Sequence, residues 1–135
     1  MRTGYFLSPF DVEIREAPIP ATKPGEVLVR IAACAICASD AGIIEGGNKN
    51  PGHEIAGIVE EVGDDVRDVK VGERVTLYWK LGCGECDYCI AGYDVHCLSP
   101  LFVLWNGYSE YVVVPADACL PLRSLWINCV HSAHR

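Results

Sequence analysis

Four cysteines, Cys83, Cys86, Cys89 and Cys97, fall in one short stretch, GCGECDYCIAGYDVHC, with two residues between each of the first three and seven before the last. Four thiolates at this spacing suit a single divalent zinc in a closed tetrahedral site, because each spacer lets the next sulfur turn back onto the same centre. Upstream, Cys37 and the adjacent pair His53 and Glu54 offer a thiolate, an imidazole and a carboxylate, the donor types of a second and open site. A closed site steadies a fold, whereas an open one leaves room for chemistry. Two metal sites of different kind point to an enzyme.

Other chemistries compete for the same residues. Two disulfides in a secreted protein would use four cysteines, but the tight spacing and an N-terminal segment without an apolar signal-peptide core favour metal. Bacterial ferredoxins also run Cys-x2-Cys-x2-Cys, yet their last spacer is three and a proline follows the fourth cysteine, where this chain has seven and Leu98. Cys34 and Cys37 form a Cys-x-x-Cys that could be taken for a thioredoxin-like redox pair. The pair follows a predicted strand in a β-rich chain, so Cys34 is read as a core residue. His53 alone would more often be structural, and Ser39 and Asp40 could simply cap the turn that follows them.

The elements that must position these groups are mostly strands. Glu26 to Ala33 alternates apolar and charged side chains after the turn signal Lys23-Pro24-Gly25, as a half-buried strand does. Ile55 to Val62, Glu73 to Trp79 and Gly107 to Pro115 are also predicted strands, and Asp64 to Asp68 a polar connection. Asp40 to Glu45 fits a short helix or a loop. The lobe from Gly82 to Cys97 reads as irregular, held by its metal. The 135 residues, half of them hydrophobic, are enough for about one domain. A net charge of -7 argues against nucleic acid or an anionic membrane as main partner. The most apolar stretch, Val27 to Ile44, is broken by Arg30, Ser39 and Asp40, which argues against a membrane span. A cytoplasmic location is expected, where eight cysteines stay reduced.

PGEVLVRIAACAIC, PGHEIAGIVEEVG, the four-cysteine lobe and GYSEYVVVPADACLPL together resemble the N-terminal catalytic domain of the zinc-dependent medium-chain alcohol and polyol dehydrogenases. The sharpest part is Gly52-His53-Glu54 followed by Gly57, Gly63 and Val66, which fits the family's zinc signature. The resemblance implies a mainly β, GroES-like, partly open barrel with short helices, spanning residues 1–122 and carrying the zinc lobe at 82–97. It implies that Cys37 and His53 ligate a catalytic zinc, with Glu54 on or near the metal; the general ligand set of such enzymes is two Cys and one His. Ser39 matches the hydroxyl that passes the substrate proton away, and Asp40 the carboxylate that orients the zinc-bound histidine. Oxidising an alcohol needs its hydroxyl proton removed, and zinc makes that feasible near neutral pH.

Two departures from the family pattern touch the site. Gly42 stands where many relatives have a relay histidine, and the loop from Asp40 to Pro51 is shorter than in many of them, which leaves the substrate open. The family continues into a Rossmann domain that binds NAD(P) and supplies the remaining zinc ligand. Here the only Gly-x-Gly, Gly82-Cys83-Gly84, lies inside the lobe, so no dinucleotide fingerprint is present. Residues 123–135 depart from the family, as a shifted or truncated reading frame would, and their Cys129, His131 and His134 are read as accidental. Such a domain is expected to hold one structural zinc firmly and a catalytic zinc at partial occupancy. It would be inactive alone, would serve a small alcohol or carbonyl substrate only in a complete parent, and would self-associate through its exposed cleft face. The alternative is a stand-alone zinc module that acts by binding a partner.

Overall fold

The computed structural model describes residues 1–8, 10–45, 47 and 49–122. The tail, with Leu125, Trp126, Ile127, Cys129, His131 and His134, lies outside the described residues. Among the described residues nine strands and two short α-helices run in the order β1 Arg2–Ser8, β2 Asp11–Glu16, β3 Glu26–Ala35, α1 Ala38–Ile44, β4 Glu54–Val62, β5 Arg74–Leu77, β6 Lys80–Leu81, α2 Asp87–Ile90, β7 Phe102–Val103, β8 Tyr111–Pro115 and β9 Cys119–Pro121. Five of them make one antiparallel sheet in the order β8-β3-β4-β5-β9. The hairpin β1-β2 and the small pair β6-β7 stand beside it. The mainly β fold with short helices therefore forms as expected. The sheet keeps two edge strands, so no ladder closes it into a full barrel among the described residues.

The core follows from the alternation of side chains along each strand. Val27 and Val29 of β3, Ile55 and Val59 of β4, Val75 and Leu77 of β5, and Val112 and Val114 of β8 pack as one cluster with Leu104 and Ala118. Where β3 lies between two neighbours its alternation breaks down: Leu28 is buried on the opposite face, between buried Val27 and Val29. The sheet demands close approach at Gly57, where an added Cβ would meet Arg30 O at 2.5 Å and Val29 Cγ1 at 2.6 Å. That explains this glycine of the signature without reference to metal.

Strand ends differ from the sequence expectation in two instructive places. β8 begins at Tyr111 and not at Gly107, because the preceding residues bond sideways: Gly107 N–H donates to Gly52 O at 2.8 Å, and Tyr108 O accepts from Gly4 N–H at 2.7 Å. The lobe, expected to be irregular, contains α2 and a single 3-10 turn at Asp94–His96. Both are too short to persist in isolation, since helix nucleation is unfavourable.

The register of β3 against β4 builds the site. Cys34 pairs with Ile55 and Ala35 with Glu54, so the last residues of β3 lie beside the first residues of β4. Cys37 follows β3 by two residues and His53 immediately precedes β4. Antiparallel pairing thus brings together residues 16 positions apart in sequence. Register shifts between Leu28 and Val29, and between Ile31 and Ala33, bend β3 as it approaches the site, as bulges commonly do near functional groups.

Candidate metal centres and active-site cleft

The four lobe sulfurs lie within 4.8 Å of one another. Cys86 Sγ is 3.5 Å from Cys89 Sγ, and Cys83 Sγ is 3.9 Å from Cys89 Sγ. A tetrahedron with Zn–S bonds of about 2.3 Å has sulfur-to-sulfur edges of ~3.8 Å, whereas a disulfide would bring the sulfurs to about 2.05 Å. The cage thus has the dimensions of a zinc site. Its electrostatics agree. Backbone N–H groups of Glu85 and Cys86 hold the Cys83 thiol down to about 6. At Cys89 the N–H of Gly84 also favours the thiolate, but burial and the neighbouring sulfurs prevail and push it up to about 12. Sulfurs this close resist ionising together unless a cation sits among them. Gly82 lets the chain pass close by: an added Cβ would meet Cys89 Sγ at 2.5 Å. Tyr78 fastens the lobe to the sheet by donating to Asp94 Oδ1 at 3.0 Å.

The second group is Cys37, His53 and Glu54, whose donor atoms also lie within 4.8 Å of one another. His53 Nδ1 lies 2.9 Å from Pro51 O. A carbonyl can only accept, so Nδ1 carries the proton and Nε2 keeps its lone pair for a metal. Asp40 stands behind the ring. Its Oδ1 lies 3.3 Å from Nδ1, at ion-pair distance but without a hydrogen bond, and its Oδ2 accepts from Cys37 N–H at 3.0 Å and from the Tyr108 hydroxyl at 2.6 Å. Asp40 is only 1% exposed, so these contacts are made without competition from water. One carboxylate thus both stands behind the His53 ring and accepts the N–H of the residue that precedes α1. Ser39 donates to Cys37 Sγ at 3.2 Å. Gly42 opens onto empty space.

These residues line a cleft of about 860 Å³, a size suited to a small organic molecule. Cys37, Ser39, His53 and Glu54 are on its wall together with Trp79, Trp105, Leu77 and Leu120. The rings of Trp79 and Trp105 stand 6.3 Å and 6.1 Å from the His53 ring. Sequence reasoning missed both tryptophans, Pro51 and Tyr108. The signal available was that Trp79 ends a predicted strand and Trp105 precedes one, where an aromatic ring borders a cleft more readily than a core. Cys34 packs partly buried against the core, and burial pushes its thiol up, as befits a core residue rather than a redox one.

An ion would fit both places on this geometry: four sulfurs at tetrahedral spacing, and a thiolate, a free Nε2 and a carboxylate converging on the cleft. Residues 23–124 match the alcohol dehydrogenase GroES-like domain. An alcohol dehydrogenase of Geobacillus stearothermophilus is 40% identical over 117 residues, covering 78% of this chain and 34% of the relative. A cobalt and zinc bound thermostable alcohol dehydrogenase from Pyrobaculum aerophilum superposes with a TM-score of 0.79 at 34% identity, over 92% of this chain and 42% of that one. A short chain alcohol dehydrogenase of Escherichia coli CFT073 complexed with NADH superposes at 0.81 with 34% identity, over 92% and 39%. The chain thus spans about a third of the length of the curated relatives it matches. With residues 23–124 matched, most of its length, the chain belongs to the family of alcohol dehydrogenase GroES-like domains.

Proposed function

We propose that this chain is the zinc-binding catalytic domain of an alcohol or polyol dehydrogenase. Cys83, Cys86, Cys89 and Cys97 hold a structural zinc. Cys37 and His53 Nε2 hold a catalytic one, with Glu54 on or beside it. When bound, the catalytic zinc supplies a Lewis acid that makes a hydroxyl proton easier to remove. The chain's own residues do the rest. His53 presents Nε2 to the cleft because Pro51 and Asp40 take up the opposite side of its ring. Ser39 has acceptor lone pairs to spare while it donates to Cys37, so its hydroxyl can accept a hydrogen bond from a substrate alcohol, and it takes the substrate proton only by releasing its own to solvent water. Trp79 and Trp105 give the cleft an apolar wall beside the His53 ring. Alcohol oxidation releases that one proton and passes one hydride to NAD(P); carbonyl reduction reverses both.

The observation that carries this reading is the convergence of Cys37, His53 and Glu54 on one wall of the cleft, with Asp40 buried behind the histidine. The chain carries no dinucleotide fingerprint and spans about a third of its relatives, so we hold that these 135 residues do not transfer hydride by themselves. The catalytic zinc, short of a further protein ligand, is then held at partial occupancy. Elemental analysis before and after mild chelation, with a dehydrogenase assay on the same sample, tests this. One retained zinc, a second readily lost and no turnover with NAD(P) are expected. Two firmly retained zincs with turnover would overturn it.

A further inference from the structure

Tyr108 stands apart from the metal-binding residues, in the GYSEY segment, yet its hydroxyl makes a 2.6 Å bond to Asp40 Oδ2. That length is at the short end of the range for a hydroxyl bond to an oxygen. With Oδ2 occupied by Tyr108 and by Cys37 N–H, the remaining oxygen, Oδ1, is the one that lies 3.3 Å from His53 Nδ1. We propose that Tyr108 is a positioning residue for the second metal site, fixing the rotation of the Asp40 carboxylate and through it the orientation of the His53 ring. The inference rests on the reading of Cys37, His53 and Glu54 as a zinc site.

Tyr108 is itself held in place. Its N–H donates to Asn50 Oδ1 at 3.0 Å, and Asn50 Nδ2 donates to Thr3 Oγ1 at 3.1 Å and Ser109 Oγ at 3.0 Å. Asn50 is 5% exposed, so this cluster is a fixed internal strut. Close packing seals the neighbouring turn: an added Cβ on Gly52 would meet Tyr108 N at 2.8 Å. The segment before His53 and the segment carrying Tyr108 are therefore clamped to each other, and the phenol cannot drift from Asp40 without breaking the clamp. A structural tyrosine would need only a partner for its hydroxyl. This one meets the carboxylate that faces the proposed ligand and also accepts from the backbone of Cys37.

The test loads the lobe of the whole chain with zinc, then titrates cobalt(II) and follows its visible absorption, which reports the second site alone. Tyr108→Phe should weaken cobalt binding by about tenfold, the lower end of what losing an outer partner of a ligand costs, and should alter the cobalt bands. In an Asp40→Asn background the same change should add little, since the two residues act through one bond. Ser109→Ala, which trims the strut but leaves the phenol on Asp40, should bind cobalt as the parent does and serves as the control for loosened packing. Tyr108→Phe binding within about twofold of the parent, or a full effect persisting after Asp40→Asn, overturns the positioning role while leaving the zinc site standing. A parent chain that takes up no cobalt beyond its lobe zinc overturns both.

Discussion

Asp40 has three partners for two oxygens: the Cys37 backbone, the Tyr108 hydroxyl and the His53 ring. Buried as it is, removing it strands a backbone N–H and a phenol without replacements. Asp40→Ala should therefore cost on the order of 3 kcal/mol in urea unfolding, even with the lobe loaded, because orphaned buried donors are more expensive than the bonds were worth. A loss below about 1 kcal/mol would show that water replaces the carboxylate. Cys119 allows a pH prediction away from both metal sites. Burial pushes its thiol from 9.0 up to about 11. Below the unfolded value the thiol is neutral in both states and its contribution is complete; as pH rises from about 9 toward about 11 the unfolded chain ionises first, so stability falls through that window. Denaturant midpoints measured across it should decline less steeply for Cys119→Ala than for the parent. Equal slopes would remove Cys119 from the alkaline limb.

Among the elements, the lobe and the sheet should come apart in their response to chelation. The sheet has its own apolar cluster across β3, β4, β5 and β8, whereas α2 and its neighbouring turn bury no apolar side chain apart from the proposed ligand Cys97. A structural zinc contributes on the order of ten kcal/mol or more to folding the segment that holds it. Stripping the metal should raise hydrogen exchange across residues 82–97 while protection in β3 and β4 persists; concerted loss of both would mean that the lobe supports the sheet. Gly57 probes the sheet in return. Its missing Cβ leaves space already taken by Arg30 O and Val29 Cγ1, so Gly57→Val should destabilise by roughly 2–3 kcal/mol through overpacking between β3 and β4. Thermal unfolding that shifts by no more than a degree or so would show that β3 yields to make room.

For the whole molecule, the cleft face matters most. Trp79, Trp105, Leu120 and Leu122 are each between 38% and 47% exposed, and three of the four line the cleft. Large apolar groups left together in water favour association. Sedimentation of the metal-loaded chain should show self-association that lessens when Trp105 is replaced by a polar residue. A single sharp monomer at every concentration would count against it. Among the described residues no helix is long and apolar enough to cross a membrane.

Spacing alone determined the lobe. Four cysteines that close together can reach one tetrahedron whatever the rest of the chain does, so the cage was legible in GCGECDYCIAGYDVHC, as were β3, β4 and the Lys23-Pro24-Gly25 turn before β3. Cys37, His53 and Glu54 were legible only as donor types joined by a family signature, since nothing local obliges residues so far apart to meet. The register of β3 on β4 brought them together, and register is set by which side chains share the core. Tyr108 was not legible at all, and Trp79 and Trp105 only as aromatic residues at the ends of predicted strands. A phenol or an indole has no periodicity that marks its partner; its role depends on which strand end, folded from another part of the chain, arrives beside it. The sequence determined which atoms could bind a metal, and the tertiary structure decided what stands behind the histidine, because beside the local Pro51 carbonyl that place is taken by a buried carboxylate held by distant parts of the chain.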